Sequence, residues 1–466
     1  MKATEIAAQV RTGRLRAVAV VTEALERAEE SQDHLNAFTL IDHEGALARA
    51  RGIDKLVEDG KDPGPLAGVP IGLKDLIDQA GLPNTKGGSF RVDPSESSAT
   101  VVRRLGNAGG VIIGRTGLHE FAFGFTSENH WFGPVRNPWD LATSPGGSSG
   151  GSGAAVAAGL VPIAIGTDTG GSVRVPAALC GVYGLKVTHG RVPVSGVYPL
   201  APSLDTVGPI AATVSDLTAA YLAMAGDDPT DPWSQPVSVD AVPQTVDLTR
   251  LRFGVIKQWS APRHTVEIAS GINRFLESAA RLGVDIVEVD EPGLLEDAGA
   301  PRAYGPEVMA IHGERFAADP DAYGPEMRIR LAEASEGGAA DLMSAMSWRS
   351  GARAILSRLF TSGIDLLIAP TVGGMRKVID EDDMDLDGER VFHRTLLASF
   401  TAPINQIGVP TVAAPVTGTG TPPVSVQLIA PMWGESKLLG IASALESGGV
   451  VAIVRPPTYF DAWADK

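Results

Sequence analysis

Two glycine-rich stretches carry serines: SPGGSSGGSG at Ser144–Gly153 and GTDTGGSVRVPA at Gly166–Ala177. Glycine loses much backbone freedom on folding, so such a run inside a globular chain needs a return. The usual return is close approach of backbone amides to a phosphate, an anion, or an oxygen that becomes negative during a reaction. A flexible linker does not account for the first stretch, because apolar segments flank it closely on both sides. A phosphate loop would need G-K-[ST] after its glycines, and the spacing does not fit a dinucleotide fingerprint. Ser149 satisfies G-x-S-x-G, a nucleophile turn that would require an acid and then a histidine downstream. His189, His264, His312 and His393 follow, but none has supporting context. His119 and His130 are not at metal-ligand spacing and no H-E-x-x-H occurs. Each histidine therefore reads as a surface or hydrogen-bonded residue. A lysine completes the inventory. Lys74, in GPLAGVPIGLKDLID, follows an apolar stretch with Asp75 and Asp78 beside it. Alone it reads as a surface lysine paired with a carboxylate.

Taken together, Lys74, the GGSSGG at 146–151 and the GGS at 170–172 resemble the amidase signature family. Ser148 and Ser172 lie 24 residues apart, as that family's two serines do. The resemblance continues through EFAFGFTSENHWFGPVRNPWD (Glu120–Asp140), GVYGLKVTHGRV (Gly181–Val192), SLDTVGPIA (Ser203–Ala211) and APINQIGVPTVAAPV (Ala402–Val416). It covers nearly the whole chain from about residue 60.

The resemblance implies an amidohydrolase that cleaves a carboxylic amide, or a related hydrazide or ester, through an acyl-serine. In this numbering Ser172 matches the nucleophile, Ser148 the bridging serine after a cis peptide, and Lys74 the base. A lysine serves as a base only when neutral, and burial lowers its pKa. The amides of Thr169, Gly170 and Gly171, with that of Ser172, would meet the carbonyl oxygen as it becomes negative. Ser149, Asp168 and Arg174 would hold the loop, the last two by pairing with each other. No metal or organic cofactor is expected. The segment Ala122, Phe123, Gly124, Phe125 would border the substrate. If FAFGF is extended, its three rings share one side; if it is a loop, Phe123 and Phe125 diverge. The alternatives are core aromatics or an apolar pocket for an aryl or alkyl acyl group. The same motifs also resemble the amidase subunit of tRNA-dependent amidotransferases, although the C-terminal third reads as poorly matched to it. A catalytically dead scaffold is the remaining reading, and the presence of all three triad residues argues against it.

These residues need a scaffold. The fold class implied is α/β, one α/β/α domain over residues 1–466 around a large mixed sheet. Its parts are N-terminal helices to residue 60, a signature core at 61–220, a surface connection at 227–248 and the remaining sheet from 250. The patterns agree. Thr4 can cap a helix stopping near Gly13, and Val18, Val21, Leu25 and Ala28 share one helical face. A helix through Val101, Val102 and Leu105 runs into the strand VIIG. LVPIAIGTD is apolar throughout, as a strand covered on both faces should be. LRFGVI, a helix marked by Ile268, Ile272, Phe275, Ala279 and Leu282, and VDIVEVD form a β-α-β unit. DLLIAPTV, VPTVAAPV and VSVQLIA are further strands, and the acidic 380–389 run reads as a solvated loop.

Composition bounds the partners. Of 466 residues, 39 are Lys or Arg and 55 Asp or Glu, a net charge of −16 that disfavours nucleic acid and anionic membranes. Cys180 is the only cysteine, so no internal disulfide can form. The N-terminus lacks a signal-peptide apolar core, and the longest apolar stretch (153–166) is too short to span a bilayer. A cytoplasmic enzyme taking a small amide is expected, with a homodimer allowed.

Overall fold

The structure, a computed structural model, describes residues 1–90, 92–260, 263–294 and 303–457. Continuous apolar runs become the strands of one eleven-stranded sheet: β1 (Phe38–Ile41), β2 (Pro70–Lys74), β3 (Val111–Thr116), β4 (Ile163–Asp168), β5 (Tyr183–Lys186), β6 (Thr206–Ala211), β7 (Arg252–Ile256), β8 (Asp285–Val289), β9 (Leu366–Pro370), β10 (Thr411–Pro415) and β11 (Ser425–Ile429). Their order is β1-β3-β2-β4-β6-β5-β10-β11-β9-β7-β8. The sheet is mixed: β3, β2 and β4 run parallel, as do β9, β7 and β8, and the other pairs are antiparallel. Every residue of β2, β4, β5, β6, β9, β10 and β11 is buried, which requires cover on both faces. At the edge, β8 is largely exposed or half-buried.

The β-α-β unit forms as expected: β7, the helix Val266–Arg281 and parallel β8. Ile268, Ile272, Phe275 and Ala279 are buried, while Leu282 falls just past the helix end. Residues 227–247 run without helix or strand. Two expectations are corrected. Thr4 lies inside its helix (Ala3–Arg11) and not at the cap; its N–H and Oγ1 both reach Asp216 Oδ1, at 3.1 and 3.4 Å. The acidic 380–389 run is no loop, since Asp383–Leu386 pairs antiparallel with Glu389–Phe392. Asp387 and Gly388, with φ of 51° and 97°, make the two-residue turn that Asp-Gly favours.

What matters for the site is the side of the sheet where β2 and β4 end. Leu73 pairs with Ile165, which brings Lys74, the last residue of β2, alongside the end of β4. Beyond this edge the helices Gly305–Ala318 and Pro325–Ser335 pack with Phe121, Phe123 and Leu200 in an apolar cluster separate from the main core.

Candidate active site

A lysine at the end of a strand covered on both faces has nowhere to solvate its ammonium. Lys74 is fully buried, and Nζ donates to Ser148 Oγ (2.8 Å) and Thr167 Oγ1 (2.7 Å). Burial pulls its pKa from 10.5 to about 7, against the opposing charges of Asp168 and Asp205. Ser148 follows a cis peptide from Gly147, and its carbonyl accepts from the His119 amide (3.1 Å) and Ser127 Oγ (3.2 Å). Ser149 bridges to β4: its Oγ donates to the Thr167 carbonyl (3.2 Å) and accepts from the Thr167 N–H (3.3 Å).

The turn after β4 is shaped by Asp168. Its carboxylate accepts from the amides of Gly171 (2.8 Å) and Val173 (3.2 Å). Arg174 grips the same carboxylate through Nε and Nη2, both at 3.0 Å, with neither residue exposed. Burial would raise the Asp168 carboxyl, but Arg174, Lys186 and Asn405 hold it down to about 2. Arg174 also reaches Gln427 Oε1 (2.6 Å) on β11, the Thr401 carbonyl (3.1 Å) and Asn405. Thr401 Oγ1 donates to the Gly170 carbonyl at 2.7 Å. Gly171 sits at φ 139°, and a Cβ there would run into Thr401. Glycine is required by that clamp.

Ser172, 4% exposed, looks into a pocket with Thr169 and Gly170. The amides of Thr169, Gly170 and Ser172 donate to no group among the described residues. That of Gly171, expected beside them, is taken by Asp168 Oδ1. The pocket encloses about 270 Å³, its open mouth included, and all of Ala122, Phe123, Gly124 and Phe125 line it. FAFGF is a loop and not extended, with a single turn of 3-10 helix over Glu120–Ala122. Phe121 points away, packed on Phe90, Tyr198, His312 and Tyr323. Trp131 is 38% exposed and lies outside the pocket, its Nε1 donating to Glu120. Gly124 has no room for a Cβ because the His119 ring lies against it.

The structure thus joins Lys74 to Ser148 and pairs Asp168 with Arg174. Ser172 is linked to Ser149, whose N–H donates to the Ser172 carbonyl at 3.3 Å. Among the described residues no hydrogen bond joins Ser148 Oγ to Ser172 Oγ. Sequence reasoning missed Thr167, Thr401, Asn405 and Gln427. Gln427 had a signal, as the one amide in the buried strand SVQLI. It also missed Leu200, Tyr304 and Arg330 in the pocket wall. No metal-holding cluster of His, Cys, Asp or Glu occurs among the described residues. No helix there is long and apolar enough to cross a membrane.

A model of the Amidase family matches residues 19–439. The chain belongs to this family. The AtzE subunit of 1-carboxybiuret hydrolase from Pseudomonas sp. (strain ADP) is 36% identical over 97% of this chain and 100% of its own. A glutamyl-tRNA(Gln) amidotransferase subunit of Salinispora tropica is 34% identical over 98% of both chains. That alignment runs end to end. Among solved structures, one described as a vestigial protein complex bearing on the origins of an s-triazine catabolic enzyme superposes with a TM-score of 0.89. It has 35% identity and covers 97% of this chain and 100% of that one. This amidase is accordingly an amide C–N hydrolase built on the α/β architecture of its family.

Proposed function

We propose that this amidase cleaves a small carboxylic amide through an acyl-enzyme on Ser172. The observation that carries the reading is the buried Lys74 Nζ, 2.8 Å from Ser148 Oγ, with its pKa drawn to about 7. A neutral amine takes a proton from Ser148, which takes one from Ser172 as Ser172 Oγ attacks the carbonyl. A rotation of the Ser148 or Ser172 side chain closes that relay, since catalytic hydrogen bonds often tighten only when substrate is bound. The carbonyl oxygen, now negative, meets the unengaged amides of Thr169, Gly170 and Ser172. The proton then returns through Ser148 to the departing nitrogen, which leaves as a neutral amine. Water repeats the sequence on the acyl-serine. Asp168 and Arg174 hold the turn, and their closed ion pair keeps Asp168 from taking the proton itself. Phe123, Phe125 and Leu200 give the acyl group apolar walls. A serine-reactive phosphonate fluoride should label Ser172 in the wild type and fail to label Ser172→Ala. Labelling at Ser149 would overturn the assignment.

A second reading is favoured by the end-to-end likeness to the amidotransferase chain of Salinispora tropica: glutamine hydrolysis that feeds ammonia to partner proteins. Glutamine hydrolysed faster by the isolated chain than every other small amide would carry that reading.

A further inference from the structure

The loop that walls the pocket is strained. Phe121 and Ala122 both lie in the left-handed region, at φ 51° and 61°, which residues with a side chain seldom adopt. Such a turn keeps its shape only where its surroundings hold it. His119 holds this one at three points. Its carbonyl accepts from the Ala122 amide (2.9 Å) at the start of the loop. Its Nδ1 meets Thr126 Oγ1 (3.4 Å) at the end. Between them its ring fills the space beside Gly124: the nearest atoms to a Cβ placed there are Cε1, Nε2 and Cδ2 of the imidazole. Gly124 itself lies outside the left-handed region, so it is the ring that excludes a side chain. The ring is fixed in its turn. His119 is 2% exposed, and its Nε2 lies 3.4 Å from Glu326 Oε2 on the helix Pro325–Ser335. Its amide donates to the Ser148 carbonyl at 3.1 Å, which ties the loop to the bridging serine. Burial lowers its pKa from 6.5, against the charge of Glu326, so the ring is neutral at pH 7. Ala122, Phe123, Gly124 and Phe125 line the pocket, whereas His119 does not. The imidazole stands behind the wall that a substrate would touch.

We propose that His119 is a wedge that sets the depth of the acyl pocket: by filling the space behind Gly124 it holds the Ala122–Phe125 wall forward and restricts Ser172 to small acyl groups. This rests on Ser172 being the acylated residue. A protein interior is close-packed, so the wall cannot retreat while the ring is there. A smaller side chain at position 119 frees volume next to Gly124, the strained loop relaxes into it, and Phe123 and Phe125 withdraw from the pocket. His119 is a positioning residue. It acts on substrate size through the loop and takes no part in the proton transfers.

The test measures how fast Ser172 of the full chain is labelled by two phosphonate fluorides that differ only in the group on phosphorus, methyl or phenyl, which stands in for the acyl group. His119→Ala should raise the phenyl-to-methyl ratio of labelling rates by about 10-fold or more, the scale on which an apolar pocket discriminates by size. His119→Val, which frees less space, should raise it by a smaller step and carries the test if the alanine variant does not fold. Gly124→Ala on the wild-type background forces the wall off the ring and should lower the ratio by about 10-fold. On the His119→Ala background the new methyl enters the vacated space, so the same substitution should change the ratio by less than about twofold, a coupling expected only of groups in contact. A merely structural role for His119 would slow both probes in proportion. Proportionate slowing in His119→Ala and His119→Val, or a Gly124→Ala penalty equal on both backgrounds, overturns the proposal. If neither probe labels Ser172 in the wild type, the acyl-serine reading fails and takes the wedge with it. If both label Ser172 and the ratio ignores position 119, only the wedge fails.

Discussion

Two lysines are sealed in this sheet, and they differ in what they can do. Lys74 ends β2 and Lys186 ends β5; both are fully buried, and burial draws both from 10.5 to about 7. Arg174 adds to the effect at Lys186 while Asp168 and Glu435 oppose it, and Asp168 and Asp205 oppose it at Lys74. By acidity alone either amine is a competent base near neutral pH. Their partners separate them. Lys74 donates to the hydroxyls of Ser148 and Thr167, and a hydroxyl can give a proton while it receives one. Lys186 donates to the carbonyl of Val187 at 2.8 Å, which has no proton to pass on. Burial leaves a lysine neutral near pH 7 and so able to accept a proton; a hydroxyl leading to the pocket makes it useful.

The comparison breaks most readily at Lys74. Lys74→Ala should lower kcat on any amide by about 10³- to 10⁴-fold, the range for loss of a general base, with circular dichroism unchanged. Lys186→Met in the same assay should stay within about threefold, because its removal interrupts no relay. A Lys186→Met enzyme as inactive as Lys74→Ala, in folded protein, would end the distinction. Ser148→Ala should cost about 10²- to 10³-fold, since Lys74 keeps its pKa but loses its route. Thr167→Val removes a hydroxyl that anchors Nζ without standing between it and Ser172, so about tenfold is expected, read in kcat.

A pH series sharpens the contrast further. Lys74 must be neutral to accept a proton, so kcat/KM should rise about tenfold per unit below pH 7 and level off above it. Stability follows a different window. Each lysine binds its proton less tightly folded (about 7) than unfolded (10.5). Between those values the unfolded chain holds more protons, so stability rises with pH from about 7 to 10.5 and is flat below. Lys186→Met should remove its share of that rise, measured by thermal unfolding, and leave the midpoint of the activity profile in place. A shifted activity midpoint would show that the profile belongs to Lys186.

Much of this was legible in the sequence, for identifiable reasons. Strands such as β4 and β11 are apolar throughout because both faces are covered, and such runs stand out in a sequence. The pairing of Asp168 with Arg174 followed from two opposite charges flanking a bare turn. The turn's internal accounting was not legible. Which amide Asp168 accepts depends on φ at Gly171, and that is set by Thr401, more than two hundred residues away. The acidic 380–389 run misled because its charge suggested a solvated loop, while the Asp387–Gly388 pair within it makes a hairpin. Arg330 had no signal at all. It lies on the helix Pro325–Ser335, and its place over the Phe123 ring comes from packing with a segment two hundred residues earlier.

The grip of Arg174 on Gln427 and Asn405 also sets a schedule for making the enzyme. The Ser172 turn leaves the ribosome long before the residues that clamp it. With 253 residues separating Arg174 from Gln427, the gap is roughly 10–50 s at about 5–20 residues per second. Through that interval Asp168 and Arg174 have only each other, and Gly171 has no Thr401 hydroxyl to close over. A nascent chain therefore carries its serine and its lysine without the frame that makes them reactive. Reactivity toward a serine-directed probe should appear only in chains extended past β11, and be missing from a fragment ending at residue 400.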